Sequence, residues 1–458
     1  MSLVDLIPVE MIPGFDTLVE VWIALFGRAE PASIEGICQQ FWEHDSSEGI
    51  TRRAIFDVAR TRFPIQPRHL LRLARSMSAA GFLDTDPLSA SALPPEGRLS
   101  NDLRRDCAFR VFRYLDNLNT YTQLIPASLC SGPHAIVDRF SERDNSSYGV
   151  SYTNLHPIKL PGGSILPARS VGRVISGDTA EFVVVIWDHS HSGWKLVLEL
   201  LTDYTNRRCN HYGIGGSFST HKNRSSQVTT MRLQEIGLEQ SVTSDELVVL
   251  DVLDLLRSIL ADNPPLAKVL LESLESGEAV VSHTDNDPPP DLVQLVTMIL
   301  EEALSRSSNA RSQTRIQLIA SSLSVLASLL SIREYSLRVW LYLRSSSSLF
   351  SSDRAVGLVS SVLASERAVG HYTMTLSMLH LVQQLFYEAS SAVLADDAKV
   401  VQLKEDVLLK AARFVHAQVW VEHTGWKYAQ VGDRFEIGRR VTTFYSTVLT
   451  QSPPTLKD

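Results

Sequence analysis

Thirteen histidines raise metal chemistry first. His189 and His191 stand two apart in Asp188-His-Ser-His-Ser-Gly-Trp194. On a strand that spacing turns both imidazoles to one face, the beginning of a metal site. No third histidine or cysteine lies near them, and Asp188 is the only adjacent carboxylate, so a solvated hairpin turn is the better account. Cys209-Asn-His211 is a C-x-H pair in a polar stretch, with no second pair at zinc spacing. His416 and His423 flank a helix end near Trp420, where capping or packing accounts for them.

Nucleophile and phosphate motifs are absent. Gly215-Gly216-Ser217 is not a G-x-S-x-G elbow, and no Walker A sequence occurs. Gly213-Ile-Gly215-Gly216 neither follows a strand nor opens a helix, as a dinucleotide loop must. Asp203, Glu235, Glu239 and Asp245 offer carboxylates, but nothing pairs two of them in a pocket. The doublets Glu301-Glu302 and Asp396-Asp397 read as solvated or helix-terminal charges. No catalytic, cofactor-binding or metal-binding residue is assigned, no cofactor is implied, and an enzyme is not expected.

Composition narrows the partners. The 458 residues carry 43 Lys and Arg against 51 Asp and Glu, a net charge of −8. That disfavours a broad nucleic-acid face and an anionic membrane surface. Basic pairs such as Arg52-Arg53, Arg207-Arg208 and Arg439-Arg440 are scattered. Four isolated cysteines with no CxxC pair fit a reducing compartment. The N-terminus shows no secretory pattern. The uncharged run from Ile316 to Ile332 is 17 residues long and holds Gln317 and five serines. A spanning helix needs about 20 mostly apolar residues, so the run reads as a helix packed on both sides and the chain as soluble.

The elements follow from periodicity. Leu18, Val21, Trp22 and Leu25 recur at helical spacing, and the pattern repeats through Trp42, Phe63 and Met77, then from Asn101 to Leu115. Gly149 to Tyr204 reads as short strands with turns, including Phe182 to Trp187 and Trp194 to Leu198, enough for a small barrel that hides its edges. Helical spacing returns from Met231 to Leu449, with Val400 to Trp420 read as one helix. Successive helices without intervening strands suggest stacked antiparallel pairs. No fixed repeat is visible, which leaves HEAT-like pairs as the remaining option. The expected division is a helical segment over 1–147, a β-barrel insertion over 148–204, a polar Gly-rich linker over 205–230 and a helical segment over 231–458.

Five stretches carry a family resemblance. Leu166-Pro-Ala-Arg-Ser-Val-Gly-Arg-Val174, with Val183-Val-Val-Ile-Trp-Asp-His-Ser-His-Ser-Gly-Trp194, is similar to the SH3-like insertion of a giant scaffold nucleoporin of the nuclear pore inner ring. Val111-Phe-Arg-Tyr-Leu-Asp-Asn-Leu-Asn-Thr-Tyr-Thr122 resembles the helix and turn before that insertion. Tyr335-Ser-Leu-Arg-Val-Trp-Leu-Tyr342 and Gly425-Trp-Lys-Tyr-Ala-Gln-Val-Gly-Asp-Arg-Phe-Glu-Ile-Gly438 resemble solenoid segments. The resemblance implies a mainly α, HEAT/armadillo-like solenoid interrupted by a small SH3-like β-barrel, and a non-enzymatic fragment of the N-terminal half of a much longer protein. It further implies a location at the nuclear pore, other scaffold and linker nucleoporins as partners, and a transport-receptor-like affinity for Phe-Gly repeats. Only one Phe-Gly dipeptide occurs, Phe26-Gly27, so the chain is not itself a repeat-bearing nucleoporin. No proline-ligand segment is evident in the barrel. Trp187 and Trp194 are expected to pack the barrel and its junction, with one as a recognition residue the alternative, and Gly172 to permit a strand bend.

Overall fold

The structure is a computed structural model that describes residues 14–28, 31–43, 50–79, 97–126, 137–141, 150–160, 165–174, 182–209, 242–261, 263–275, 291–305, 313–350, 358–392 and 397–451. The first helices are α1 (Phe15–Arg28), α2 (Pro31–Glu43), α3 (Ile50–Thr61), α4 (Pro67–Ser76) and α5 (Gly97–Asp116). Strands follow as β1 (Leu118–Pro126), β2 (Val137–Ser141), β3 (Val150–Asn154), β4 (Ile158–Lys159), β5 (Ile165–Leu166), β6 (Val171–Val174) and β7 (Phe182–His191). Then come α6 (Gly193–Cys209), α7 (Val242–Leu260), α8 (Pro264–Glu275), α9 (Leu292–Ser305), α10 (Gln313–Leu329), α11 (Arg333–Ser345), α12 (Leu358–Val369), α13 (Thr373–Ala392), α14 (Ala398–Phe414) and α15 (Val431–Gln451). The fold is mainly helical with a small sheet.

Two compact units divide the chain, the first running to Leu200 and the second taking Leu201 onward, apart from the end of α8 from Glu272. In the first, Leu70, Leu71, Leu73 and Ala74 of α4 are buried, and Pro67 opens the helix where its missing N–H costs nothing. An aromatic cluster joins Phe41 and Trp42 of α2 to Phe56 of α3 and Tyr114 of α5.

The strands of this unit form a five-stranded antiparallel sheet in the order β1-β7-β6-β3-β2, beside a separate β4-β5 pair. Two sequence readings need correction. Strands begin at Leu118, within the stretch read as helical: β1 pairs with β7 along its length, from Leu118 opposite His191 to Pro126 opposite Phe182. The run Trp194 to Leu198, read as a strand, is instead the start of α6. Trp194, Val197, Leu201 and Tyr204 are all buried and recur at three- and four-residue steps, the spacing of a helix face. α6 also carries helix to Cys209, into the stretch read as linker.

In the second unit α10 lies between α7 and α13, and α13 between α10 and α15; α11 packs on α9 and α14. Sandwiching explains why α10 is buried almost all round. Its serines satisfy themselves: Ser322 donates to Leu318 O at 2.8 Å, Ser324 to Ala320 O at 2.9 Å, and Ser321 to Asp254 at 2.6 Å. The uncharged run from Ile316 is thus an interior helix packed on both sides. No described helix is long and apolar enough to cross a membrane.

Candidate functional site

The second unit ends in an exposed aromatic surface held from behind by carboxylate-centred contacts. α14 does not continue as one α-helix to Trp420. It passes at Val415 into a π-helical turn, Val415–Trp420, closed by Val421 N–H donating to His416 O at 3.2 Å. Such one-turn widenings re-aim side chains and recur at functional positions. Trp420 stays 40% exposed and Val421 60%. The Trp420 ring stacks on His423 at 5.5 Å and meets Tyr445 of α15 edge-on at 5.5 Å. The Tyr445 hydroxyl and His416 Nδ1 are hydrogen-bonded at 2.7 Å. A partly exposed aromatic cluster with polar edges therefore spans the π turn and α15.

Behind it, the segment after the turn is locked to α12 and α13. Arg367 is ion-paired with Glu422, donates to Gln418 O at 2.7 Å, and lies over the Trp426 ring at 4.6 Å. Tyr372 stacks on Trp426 at 5.1 Å and donates to Lys427 O at 2.5 Å. Burial pushes the Tyr372 phenol up to about 12. Ala429 N–H donates to Gly370 O at 2.9 Å. Gly370 has φ +90°, and a Cβ there would meet Ala429 N at 2.8 Å, so the turn requires glycine.

Three acids serve as acceptors between elements. Glu366 is fully buried and accepts from Met374 N–H (2.6 Å), Thr375 N–H (3.1 Å) and the Thr375 hydroxyl (2.6 Å), capping α13. Burial raises its carboxyl to about 7. Glu388 of α13 accepts from Ser336 and Trp340 of α11 and Lys404 of α14 at 2.7, 2.9 and 2.9 Å. Glu301 of α9 accepts from the hydroxyls of Tyr342, Ser346 and Ser348 at 2.7, 2.8 and 2.7 Å. The Glu301 and Glu388 bonds join different segments across 16 to 52 residues, beyond the reach of local spacing. Trp340 and Trp426 lie in the two solenoid-like stretches singled out from the sequence.

The other sequence candidates fall elsewhere. His191 is buried edge-on to Tyr121 at 5.4 Å, its Nδ1 3.2 Å from His189 O, and burial lowers its pKa. No group of three potential metal ligands occurs among the described residues. His211, Glu235, Glu239 and the glycines Gly213, Gly215 and Gly216 lie outside the described residues. Asp245 pairs with Arg207 at 2.7 Å. His423 accounts for itself by packing, with Nδ1 2.9 Å from Trp420 O. Trp187 is buried and donates to Gln123 at 3.1 Å; Trp194 is buried and donates to Phe112 O at 3.1 Å. Both are packing residues. Gly172 serves that packing too: a Cβ there would meet the Trp187 ring at 2.8 Å.

Residues 227–456 match the family model "Nucleoporin Nup188, N-terminal subdomain III". Over 405 residues the chain is 23% identical to Nucleoporin nup184 of Schizosaccharomyces pombe, covering 88% of this chain and 21% of that protein. The chain thus spans about a fifth of the length of the curated relative it matches.

Proposed function

Because the chain belongs to the Nup188 nucleoporin family, we propose that it is a scaffold segment of the nuclear pore complex inner ring, located at the pore and supporting nucleocytoplasmic transport. The second unit is a HEAT/armadillo-like solenoid, and the sheet of the first is its SH3-like insertion. Other scaffold and linker nucleoporins bind the solenoid surfaces. The observation that carries this reading is the use made of three acids, one buried and two half-buried: Glu366, Glu301 and Glu388 are all spent on joining one segment to another. Groups consumed in this way build a surface rather than a reaction centre, in keeping with a non-enzymatic protein. A fluorescently tagged chain should mark the nuclear rim, and the chain used as bait in nuclear extract should retain scaffold nucleoporins. A diffuse signal together with a bait that retains no pore component would overturn the reading.

A second activity is favoured by the exposed Trp420 surface. An exposed aromatic cluster between a π turn and α15 suits the docking of Phe side chains from Phe-Gly repeats. Retention on immobilised Phe-Gly peptides but not on Ser-Gly controls supports it; equal retention on both rejects it.

A further inference from the structure

Four consecutive serines, Ser345 to Ser348, follow Arg344 at the end of α11. The helix stops there. Ser346 is extended at φ −70°, ψ 123°, and its N–H closes on Tyr342 O. Beyond it the backbone bends through Ser347 to Phe350, with Ser348 N–H donating to the Ser346 hydroxyl at 3.3 Å and Val359 N–H to Ser348 O at 3.4 Å. Ser345 and Ser347 are exposed, while Ser346 and Ser348 are half-buried with their hydroxyls on Glu301. The Ser345 hydroxyl is already committed to Tyr342 O at 2.9 Å. Ser347 is therefore the presented hydroxyl, three residues beyond the exposed cation Arg344.

We propose that Ser347 is a phosphorylation site for an arginine-directed serine/threonine kinase, and that the phosphate breaks the Ser346 and Ser348 contacts with Glu301. In the transfer, Ser347 Oγ bonds to the γ-phosphorus of ATP and the bond from that phosphorus to the β,γ-bridging oxygen breaks. ADP leaves, and the hydroxyl proton passes to the kinase's base. The product carries about −1.5 to −2 charges, between two serines whose hydroxyls hold a carboxylate. The nearest cation in sequence, Arg344, is exposed, where solvent screens an ion pair. Glu301 is half-buried and bonded to the residues on either side of Ser347, so its repulsion of the phosphate is screened less than the attraction of Arg344. Leu349 and Phe350 are buried, Phe350 edge-on to Phe414 at 6.0 Å, and they confine the opening to 346–348.

The test treats the 458-residue chain with ATP and an arginine-directed kinase, maps phosphate by mass spectrometry, and follows amide exchange. A free peptide spanning residues 341–351 serves as the kinase control. The expected result is phosphate on Ser347, absent from Ser347→Ala, with exchange at Ser346 and Ser348 at least about tenfold faster than in the unmodified chain. Labelling of the peptide but not the chain overturns the site, as does labelling of neither. Phosphate on Ser347 with unchanged exchange overturns the release from Glu301. Ser347→Ala replaces an exposed side chain and leaves folding intact.

Discussion

Lys404 of α14 and Glu388 of α13 form a largely buried ion pair, with Nζ 2.9 Å from the carboxylate and the Lys404 side chain 6% exposed. Glu388 also accepts from Ser336 and Trp340 of α11, and Lys404 lies over the Trp340 ring at 5.5 Å. One carboxylate thus ties three helices together. Removing one partner strands the other's charge, whereas replacing both with apolar groups of similar size removes the desolvation cost as well. Glu388→Leu should destabilise the second unit by about 3–5 kcal/mol. Lys404→Met should cost less, because Glu388 keeps two neutral donors. The double variant should recover much of the Glu388→Leu loss. Urea denaturation of the four proteins measures the coupling, and strictly additive losses would show that the pair does not act as a unit.

Glu366 makes stability depend on pH. Its carboxyl is raised from 4.5 to about 7, first by burial, with Asp433 adding to the rise against the hydrogen bonds from Thr375 and Met374. Between these values the folded state binds more protons than the unfolded state. Stability from this group is full below about 4.5 and lost as pH rises through about 7. Denaturation of the wild type should show this fall, and Glu366→Gln should flatten it. Glu366→Ala should cost about 0.5–2 kcal/mol more broadly, by leaving the first N–H groups of α13 uncapped. An unchanged slope in Glu366→Gln would assign the pH dependence to another group.

Much of the helical layer was legible in sequence, because burial writes itself as a three- and four-residue period. α10 is recognisable as an interior helix from an uncharged run too short, and too rich in serine, to span a membrane. β1 was not, because Leu118 follows Leu115 at a helical step, and only pairing with β7 fixes it as a strand. Trp194 to Leu198 is a short apolar run after a turn, which spacing alone leaves open between strand and helix until Leu201 and Tyr204 continue the helical face. The π turn adds one residue and leaves no periodic trace. The acceptor roles of Glu301 and Glu388 join helices 41 and 48 residues apart, beyond the reach of local spacing.

Gly370 should tolerate no side chain. Its φ of +90° and the 2.8 Å approach of Ala429 N to a Cβ position act together. Gly370→Ala should cost about 1–3 kcal/mol and loosen the stack of Tyr372 on Trp426. The Trp fluorescence of the folded variant should shift to longer wavelength as the ring gains water. A variant with unaltered melting temperature and spectrum would show that the turn has another available conformation.

Two tryptophans separate architecture from recognition. Trp340 is fully buried and donates to Glu388, whereas Trp420 is 40% exposed. Trp340→Ala should cost about 3–5 kcal/mol, the loss for a large aromatic core residue. Trp420→Ala should cost less, chiefly the His423 and Tyr445 ring contacts, each worth about 0.5–1.5 kcal/mol, so the protein stays folded with a modestly lowered melting temperature. If the surface docks Phe side chains, Trp420→Ala should cut retention on Phe-Gly peptides at least about tenfold in the folded protein, since a buried aromatic anchor contributes about 2 kcal/mol or more to binding. His416→Ala removes the hydrogen bond that steadies Tyr445 and should weaken retention less. Undiminished retention by a folded Trp420→Ala protein would move the docking site away from the π turn and leave the scaffold role standing alone.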